Sequence, residues 1–332
     1  MRDTILVLTN TEDGSHTDVV ISKLLSQGER VFRFDSDKFS AGEATITFSS
    51  SSDDFGKLTI ACGGDSVRSE EIKSVWYRRP NHFNLSIRDQ VQKDYAEKEI
   101  RSFLEGAWSL LEFEERVFFL SKPSSIEKAR KKLLQLKLAL TYGMRIPRTV
   151  ITNNPEEVMA FYESCRSGMI FKAVNHEFLN YGEKSYNIPT TLVTEEHLKN
   201  LHLIRRAPAI FQELVPKKYE LRVTVVGNKV FPVQIDSQKN PLTVVDWRNP
   251  FYIDKLNYEE AVIDSHTERF CLEMLRTLDL KFGAFDFIVD KTDSLYFLEV
   301  NPNGQWYWLE NLTGVLISDA IASMLKNGTE RR

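Results

Sequence analysis

"FLEVNPNGQW", residues 297–306, ends an apolar run with an acid and an amide two positions apart, then turns through Pro302 and Gly304. Alternate side chains of a strand share a face, so Glu299 and Asn301 point the same way. Just upstream, "GAFDFIVD" (283–290) alternates in the same manner, and the polar "KTDS" (291–294) reads as the hairpin loop between them. If Asp290 faces Leu295 across that loop, the ladder sets Asp286 opposite Glu299. Directly opposed Cβ atoms in an antiparallel pair lie about 4.5–5.5 Å apart. Two carboxylates that close repel unless something positive sits between them. Asp286, Glu299 and Asn301 are hard oxygen donors of the kind Mg²⁺ takes together with waters and phosphate oxygens. The competing reading is a solvated sheet face. Phe285, Phe287, Phe297 and Leu298 favour the metal site, because a wholly exposed hairpin has no need of them.

Composition leaves this reading room. The chain has 332 residues, 42% hydrophobic and 27% charged, enough for two or three packed subdomains. A formal net charge of −4 gives no global reason to expect nucleic acid or an anionic membrane as partner. The three cysteines, Cys62, Cys165 and Cys271, show no metal-ligand spacing and read as free thiols of a reducing compartment. "MRDTILVLTN" (1–10) has no signal-peptide architecture, and no apolar run approaches the roughly 20 residues of a membrane span. The expectation is a soluble cytoplasmic protein in which the sequons at Asn84, Asn311 and Asn327 are chance matches.

Along the chain, "TILVLT" (4–9), "TDVVISKLLSQG" (17–28) and "RVFRFDSD" (30–37) read as strand, helix and strand. This β-α-β opening predicts a parallel sheet in a small α/β domain. No G-x-G-x-x-G follows the first strand, so a dinucleotide site is poorly supported. His16 reads as a structural residue near the helix start. Residues 90–116 predict a charged helix with Trp108 and Leu111 inward. "SKPSSIEKARKKLLQLKLALTYG" (121–143) predicts one helix with a capping box at Ser124 and Glu127, an apolar face of Ile126, Leu133, Leu136 and Leu140, and a stop at Gly143. A further helix is expected at 258–278, and Gly227-Asn228 as a hairpin turn. The expected domains are 1–120 (α/β), 121–209 (central) and 210–328 (C-terminal).

The acid-x-Asn pair Glu299 and Asn301, with Asp286 before it, resembles the last metal strand of the ATP-grasp superfamily. Other matches follow in order over roughly 200 residues. Lys132, eleven residues before Gly143, and Lys172 in "IFKAV" look like that superfamily's two nucleotide lysines. "FQELV" (211–215) resembles the hinge along adenine, with the backbone of Glu213 and Leu214 bonding the base. Glu220 resembles the ribose acid, and Arg222 the arginine that faces the γ-phosphate and the acyl intermediate. A lysine in "ARKKLLQLK" can equally belong to a solvated helix face. Lys172 inside an apolar strand is harder to dismiss, because burying an unpaired ammonium is costly. One departure concerns the loop "NHEFLNYGEKSYN" (175–187), whose single glycine differs from the glycine-rich lid of many ATP-grasp enzymes.

A narrower resemblance covers nearly the whole chain. "VWYRRP" (75–80), "NPNGQW" (301–306) and "QIDSQ…VVDWR" (234–248) are similar to ATP-grasp maturases of ribosomal peptides, the microviridin-type graspetide synthetases. That resemblance implies an ATP-grasp fold of α/β and α+β subdomains, with ATP and Mg²⁺ bound between the central and C-terminal parts. It implies a homodimeric macrocyclase that recognises a precursor peptide through its leader and joins Asp or Glu side chains to Thr or Ser hydroxyls or Lys amines. Arg248 and Asp246 are then candidates for handling the peptide's acids or the nucleophile's proton, or else form a structural pair. Arg78 and Arg79 are candidates for the core peptide, and 185–198, with Thr191 and Glu195, for the leader. The alternatives are a ligase of free amino acids and a nucleotide-binding module without catalysis.

Overall fold

The computed structural model describes residues 2–51, 54–80, 82–175, 179–181, 184–186, 188–248 and 252–328. Its first strand, β1 (Thr4–Thr9), is buried along its whole length. A parallel sheet covered on both faces requires such an unbroken apolar run. Ile5 and Val7 pack on Val20 and Leu24 of the helix Gly14–Ser26 and on Ile321 and Leu325 of the last helix, Ile317–Asn327. Leu6 and Leu8 belong to a second cluster with Leu104, Trp108 and Leu111 of the helix Gln90–Phe113. After β2 (Arg30–Asp35) come β3 (Ala44–Ser51), β4 (Asp54–Cys62) and β5 (Asp65–Arg68), an antiparallel sheet of their own. The chain then returns through β6 (Ile72–Tyr77) to β7 (Phe118–Phe119), and the order β2-β1-β6-β7 is parallel throughout.

The middle of the chain supplies β8 (Thr149–Thr152), β9 (Met169–Lys172), β10 (Leu179–Tyr181), β11 (Lys184–Tyr186), β12 (Thr191–Leu192) and β13 (Ala209–Glu213). Their sheet runs β12-β9-β13-β8, with β10 and β11 a separate hairpin. Last come β14 (Lys217–Val226), β15 (Lys229–Ile235), β16 (Tyr258–Glu260), β17 (Phe282–Asp290) and β18 (Leu295–Asn301), ordered β16-β15-β14-β17-β18 and antiparallel. One face of this sheet, with Val223, Phe285, Phe287 and Phe297, is packed by Phe270, Cys271 and Met274 of the helix Ser265–Thr277. The other face is packed at one end, where Val226, Phe282 and Ala284 join Trp306 and Leu309, and beyond it Glu220, Asp286 and Ile288 line a cleft with residues of β9 and β13. Val226 pairs with Lys229 around the Gly227-Asn228 turn, where Gly227 has a positive φ of 60°.

Four expectations need correction. The stretch 258–278 is not one helix: residues 258–260 pair with β15 as β16, and Asp264 caps a helix that begins at Ser265 by accepting from the Thr267 amide at 2.7 Å. The stretch 121–143 is broken into helices Pro123–Ala129 and Lys132–Thr141. No capping box forms at Ser124, because its amide and hydroxyl both donate to Glu112, at 3.0 and 2.7 Å. The break also shifts the buried phase, so Leu133 and Leu140 are exposed while Gln135 and Ala139 are buried. The stop at Gly143 stands, with φ 74°.

The β17–β18 hairpin closes more tightly than the sequence suggests. Its loop is Lys291-Thr292-Asp293: Asp293 is left-handed at φ 63°, and the Asp290 carboxylate accepts from the amides of Thr292 and Ser294. A three-residue loop ending in a left-handed residue is a common hairpin closure. Leu295 therefore faces Val289 rather than Asp290. A register shift between Asp286 and Phe287 then leaves Leu298 as the extra residue of a bulge and returns Asp286 opposite Glu299.

Candidate active site

β18 is an edge strand, and its outer side is finished by a side chain. The Gln135 amide donates to the carbonyls of Ala129 (2.6 Å) and Val300 (2.8 Å) and accepts from the Val300 N–H at 3.0 Å. It thus replaces a missing neighbour strand at the residue between Glu299 and Asn301, and its own burial is satisfied. Nothing in the amphipathic pattern distinguishes Gln135 from a solvent-facing glutamine; its partner lies 165 positions away.

The helix break has a direct consequence. Lys132 becomes the first residue of its helix and its ammonium meets Glu299. Arg248 Nη1 lies 3.7 Å from the other Glu299 oxygen. On β14, Arg222 stands opposite Asp286 and donates to both its oxygens at 2.7 Å, while Nη2 reaches the Gln305 carbonyl at 3.1 Å. The two opposed carboxylates are thus neutralised by three cations from different elements, as their mutual repulsion requires. Two carboxylates and an amide oxygen fit Mg²⁺. Among the described residues no third acid, histidine or cysteine gathers with them, which leaves the remaining positions to water and phosphate oxygens. The Asn301 Oδ1 accepts one bond, from the Asn303 amide at 3.1 Å, and an amide oxygen has a second lone pair.

A cleft opens beside this cluster. Its lining mixes apolar side chains, Ile170, Leu214, Val215, Ile288 and Leu298, with charged ones, Lys172, Lys217, Glu220, Asp246, Arg248, Asp286 and Glu299. Such a lining suits a ligand with both an apolar and a charged part. The Glu213 and Leu214 amides are not open to an adenine base, since they donate to the carbonyls of Arg148 (2.9 Å) and Gly168 (2.8 Å). Glu220 is buried and receives Lys217 Nζ at 2.7 Å, which also donates to the Val245 carbonyl at 3.0 Å. Burial pushes the Glu220 carboxyl up, and the Lys217 ammonium opposes it. Lys217 was not singled out from the sequence; its partner three positions on, Glu220, is the only local signal.

Lys172 forms no hydrogen bond or ion pair among the described residues. Burial pushes its pKa down to about 8, with Glu299 pulling the other way. Because the free ammonium titrates near 8, affinity for Mg²⁺-free ATP should fall roughly tenfold between pH 8 and 9.5. Binding near pH 8.5 should take up a proton, seen as buffer-dependent heat in calorimetry. Flat affinity across that window would remove Lys172 from the phosphate site. The sign for stability is opposite: the folded chain holds fewer protons than the unfolded one between about 8 and 10.5, so this group's contribution improves as pH rises.

Asp246 and Arg248 grip each other, with Nε to Oδ1 and Nη2 to Oδ2 both at 2.9 Å, and the Thr190 amide adds a bond at 3.3 Å. Burial would raise the Asp246 pKa, but the Arg248 bonds override it and hold the carboxyl at about 2. Both Asp246 oxygens are thus engaged by the Arg248 guanidinium, which fixes the arginine's place at the cleft.

Arg78 is corrected more sharply. It is 1% exposed, pairs with Asp13, and donates from Nη1 to the carbonyls of Asn303 (2.7 Å) and Gly304 (2.9 Å). No peptide side chain reaches it. Arg79, half-buried, donates to the Asn303 carbonyl at 3.1 Å. Thr191 lies on the edge strand β12, and Glu195 opens the short helix Glu195–Leu198 on the surface. Part of 175–187 lies outside the described residues; β10 and β11 make what is described there a hairpin in place of a glycine loop. His16 is structural: its Nδ1 accepts from the Tyr307 amide at 3.3 Å.

Gly304 is in close contact on two sides. A Cβ there would stand 2.6 Å from the Ala284 Cβ and 2.7 Å from Arg222 Nη2. Gly304→Ala should therefore displace Arg222 and cost about 1–3 kcal/mol. Unchanged melting temperature and turnover would contradict that crowding.

Comparison with known proteins agrees with this arrangement. Residues 4–127 match the model of the MvdD pre-ATP grasp domain, and residues 129–325 that of the RimK-like ATP-grasp domain. Among solved structures, a RiPP-associated ATP-grasp ligase of Chryseobacterium gregarium, in complex with ADP and a leader and core peptide, is 31% identical. The alignment covers 99% of this chain and 98% of that one, with a TM-score of 0.88. The macrocyclase MdnC of Microcystis aeruginosa MRC, bound with precursor peptide MdnA, is 30% identical over 98% of this chain and 100% of that one, TM-score 0.86. The macrocyclase MdnB of the same organism is 30% identical over 97% and 99%, TM-score 0.81. Among curated protein sequences none matches.

Proposed function

We propose, from the premise that this chain belongs to the RimK-like ATP-grasp family and carries an MvdD-type pre-ATP-grasp domain, that it cyclises a ribosomally made precursor peptide. The family makes it an ADP-forming ligase. The observation that carries the reading is one cleft lined by Lys172, Arg248 and the opposed acids Asp286 and Glu299, with Lys132 and Arg222 paired to those acids. The peptide substrate is supported by the relatives bound to precursor peptides.

A carboxylate resists nucleophiles because it is negative and lacks a leaving group. In the proposed reaction an Asp or Glu oxygen of the peptide attacks the γ-phosphorus, and ADP leaves. A Thr or Ser hydroxyl or a neutral Lys amine then attacks the acyl carbon, the bond to the phosphate oxygen breaks, and phosphate departs, taking up the nucleophile's proton. Lys172 and Lys132 hold the phosphates, and Arg222 meets the transferring phosphoryl group. Arg248, oriented by Asp246, draws in the acidic side chain. Asp286, Glu299 and Asn301 would hold Mg²⁺, which offsets charge on the phosphates. Both reacting groups belong to one chain, so holding the core peptide in place supplies much of the second step. The leader would dock along 188–198, where β12 offers a sheet edge, in a homodimer of three-part protomers (1–120, 121–209, 210–328).

The test is ADP formation. Wild-type enzyme with ATP and Mg²⁺ should make ADP when given the leader-bearing peptide and not with any free amino acid. Turnover with free amino acids alone would move the assignment to an amino-acid ligase. No turnover with any acceptor, by folded enzyme, would leave a binding module.

A further inference from the structure

The segment after the acid-x-Asn pair is held largely from outside its own sheet. Its turn is closed internally by the Gly304 amide donating to the Asn301 carbonyl at 3.3 Å. From the parallel-sheet domain, Arg78 donates to the Asn303 and Gly304 carbonyls, Arg79 to the Asn303 carbonyl, and His16 accepts the Tyr307 amide. Asp13 fixes Arg78 from behind, with Oδ2 2.8 Å from Nε and Oδ1 3.3 Å from Nη2. Asp13 sits where Asn10 caps the chain, accepting from the Glu12 and Asp13 amides, while the Asn10 amide donates to the Arg79 carbonyl at 2.7 Å. The clamp is thus built on the end of β1 and the end of β6. On the cleft side the same segment takes a bond from Arg222 Nη2 at the Gln305 carbonyl, and Gly304 packs against that guanidinium.

We propose that Arg78, locked by Asp13, is a positioning residue for the phosphoryl-transfer site: it sets the Asn301–Gln305 turn, and through it the places of Asn301 and Arg222. A buried guanidinium on both carbonyls and a half-buried one on the Asn303 carbonyl fix a turn that already has its own hydrogen bond. Burial lowers the Arg78 pKa to about 10 against the pull of Asp13, so the guanidinium is charged at neutral pH and the grip is constant there. The clamp makes the parallel-sheet domain part of the metal site without touching ligand. This rests on the assignment of Asp286, Glu299 and Asn301 to Mg²⁺.

The experiment measures ADP affinity by calorimetry with and without Mg²⁺, together with melting temperature, for wild type, Arg78→Lys and Asp13→Asn. Lysine keeps the charge beside Asp13 but cannot fork to two carbonyls. Arg78→Lys should keep Mg²⁺-free ADP affinity within about twofold, lose roughly tenfold of the tightening that Mg²⁺ gives, and turn over at least tenfold more slowly. Asp13→Asn should shift both in the same direction by less. Wild-type Mg²⁺ tightening and turnover in Arg78→Lys would overturn the proposal. So would loss of melting temperature and of Mg²⁺-free affinity together, or failure of both variants to fold, since the clamp is then a folding element. If wild type itself gains nothing from Mg²⁺, the metal assignment fails instead.

Discussion

Glu299→Gln is expected to lower product formation at least roughly a thousandfold while leaving Mg²⁺-free ADP binding within a few-fold. The change removes one charge and no volume. Glu299 is the better probe of the two acids because its surroundings tolerate the loss. Lys132 and Arg248 both reach it, and its side chain keeps some contact with solvent. Asp286→Asn should be as inactive but less clean. It leaves the buried Arg222 guanidinium without a counter-charge, with neutral oxygens as its acceptors, and breaking a buried ion pair costs about 3–5 kcal/mol. Normal turnover by Glu299→Gln, measured as ADP release and as cyclised peptide, would remove Glu299 from the metal site.

Arg222→Lys should lower kcat roughly a hundredfold or more with little change in ATP affinity or peptide KM, the pattern of a group needed only as the phosphoryl group moves. Arg222 holds both Asp286 oxygens from one nitrogen and the Gln305 carbonyl from another, while its Nε has no partner. An ammonium is one point charge and cannot keep the acid and the carbonyl while facing a phosphate. The contrary result is a raised ATP KM at normal kcat, which would make Arg222 a ground-state nucleotide contact.

What was legible in the sequence follows from range. Alternation in 283–290 and 295–301 identified both strands and their shared face, because a strand's period is local. Register at the loop was off by one, since Asp293 closes a three-residue turn, and the Leu298 bulge brought it back before Asp286. The cluster of Lys132, Lys172, Arg222 and Arg248 around two acids was reached through resemblance to a family, and not from periodicity. Gln135 was passed over and Arg78 given to the peptide for one reason. Each is a polar residue whose burial is satisfied by main-chain groups over a hundred positions away, Val300 for one and Asn303 and Gly304 for the other. Nothing in a local pattern announces such partners. The capping box expected at Ser124 was lost in the same way, because Ser124 is taken by Glu112 of the preceding helix.

The most direct test of the peptide-cyclising role is mass spectrometry of a leader-bearing acidic peptide with Thr, Ser or Lys in its core, encoded beside this gene. The peptide is incubated with the enzyme, ATP and Mg²⁺. Cyclisation predicts loss of one water per bond formed, no fragmentation inside the ring, and one ADP per bond, with mild alkali reopening esters and sparing amides. An unmodified peptide, recovered from folded enzyme that binds ATP, would contradict it.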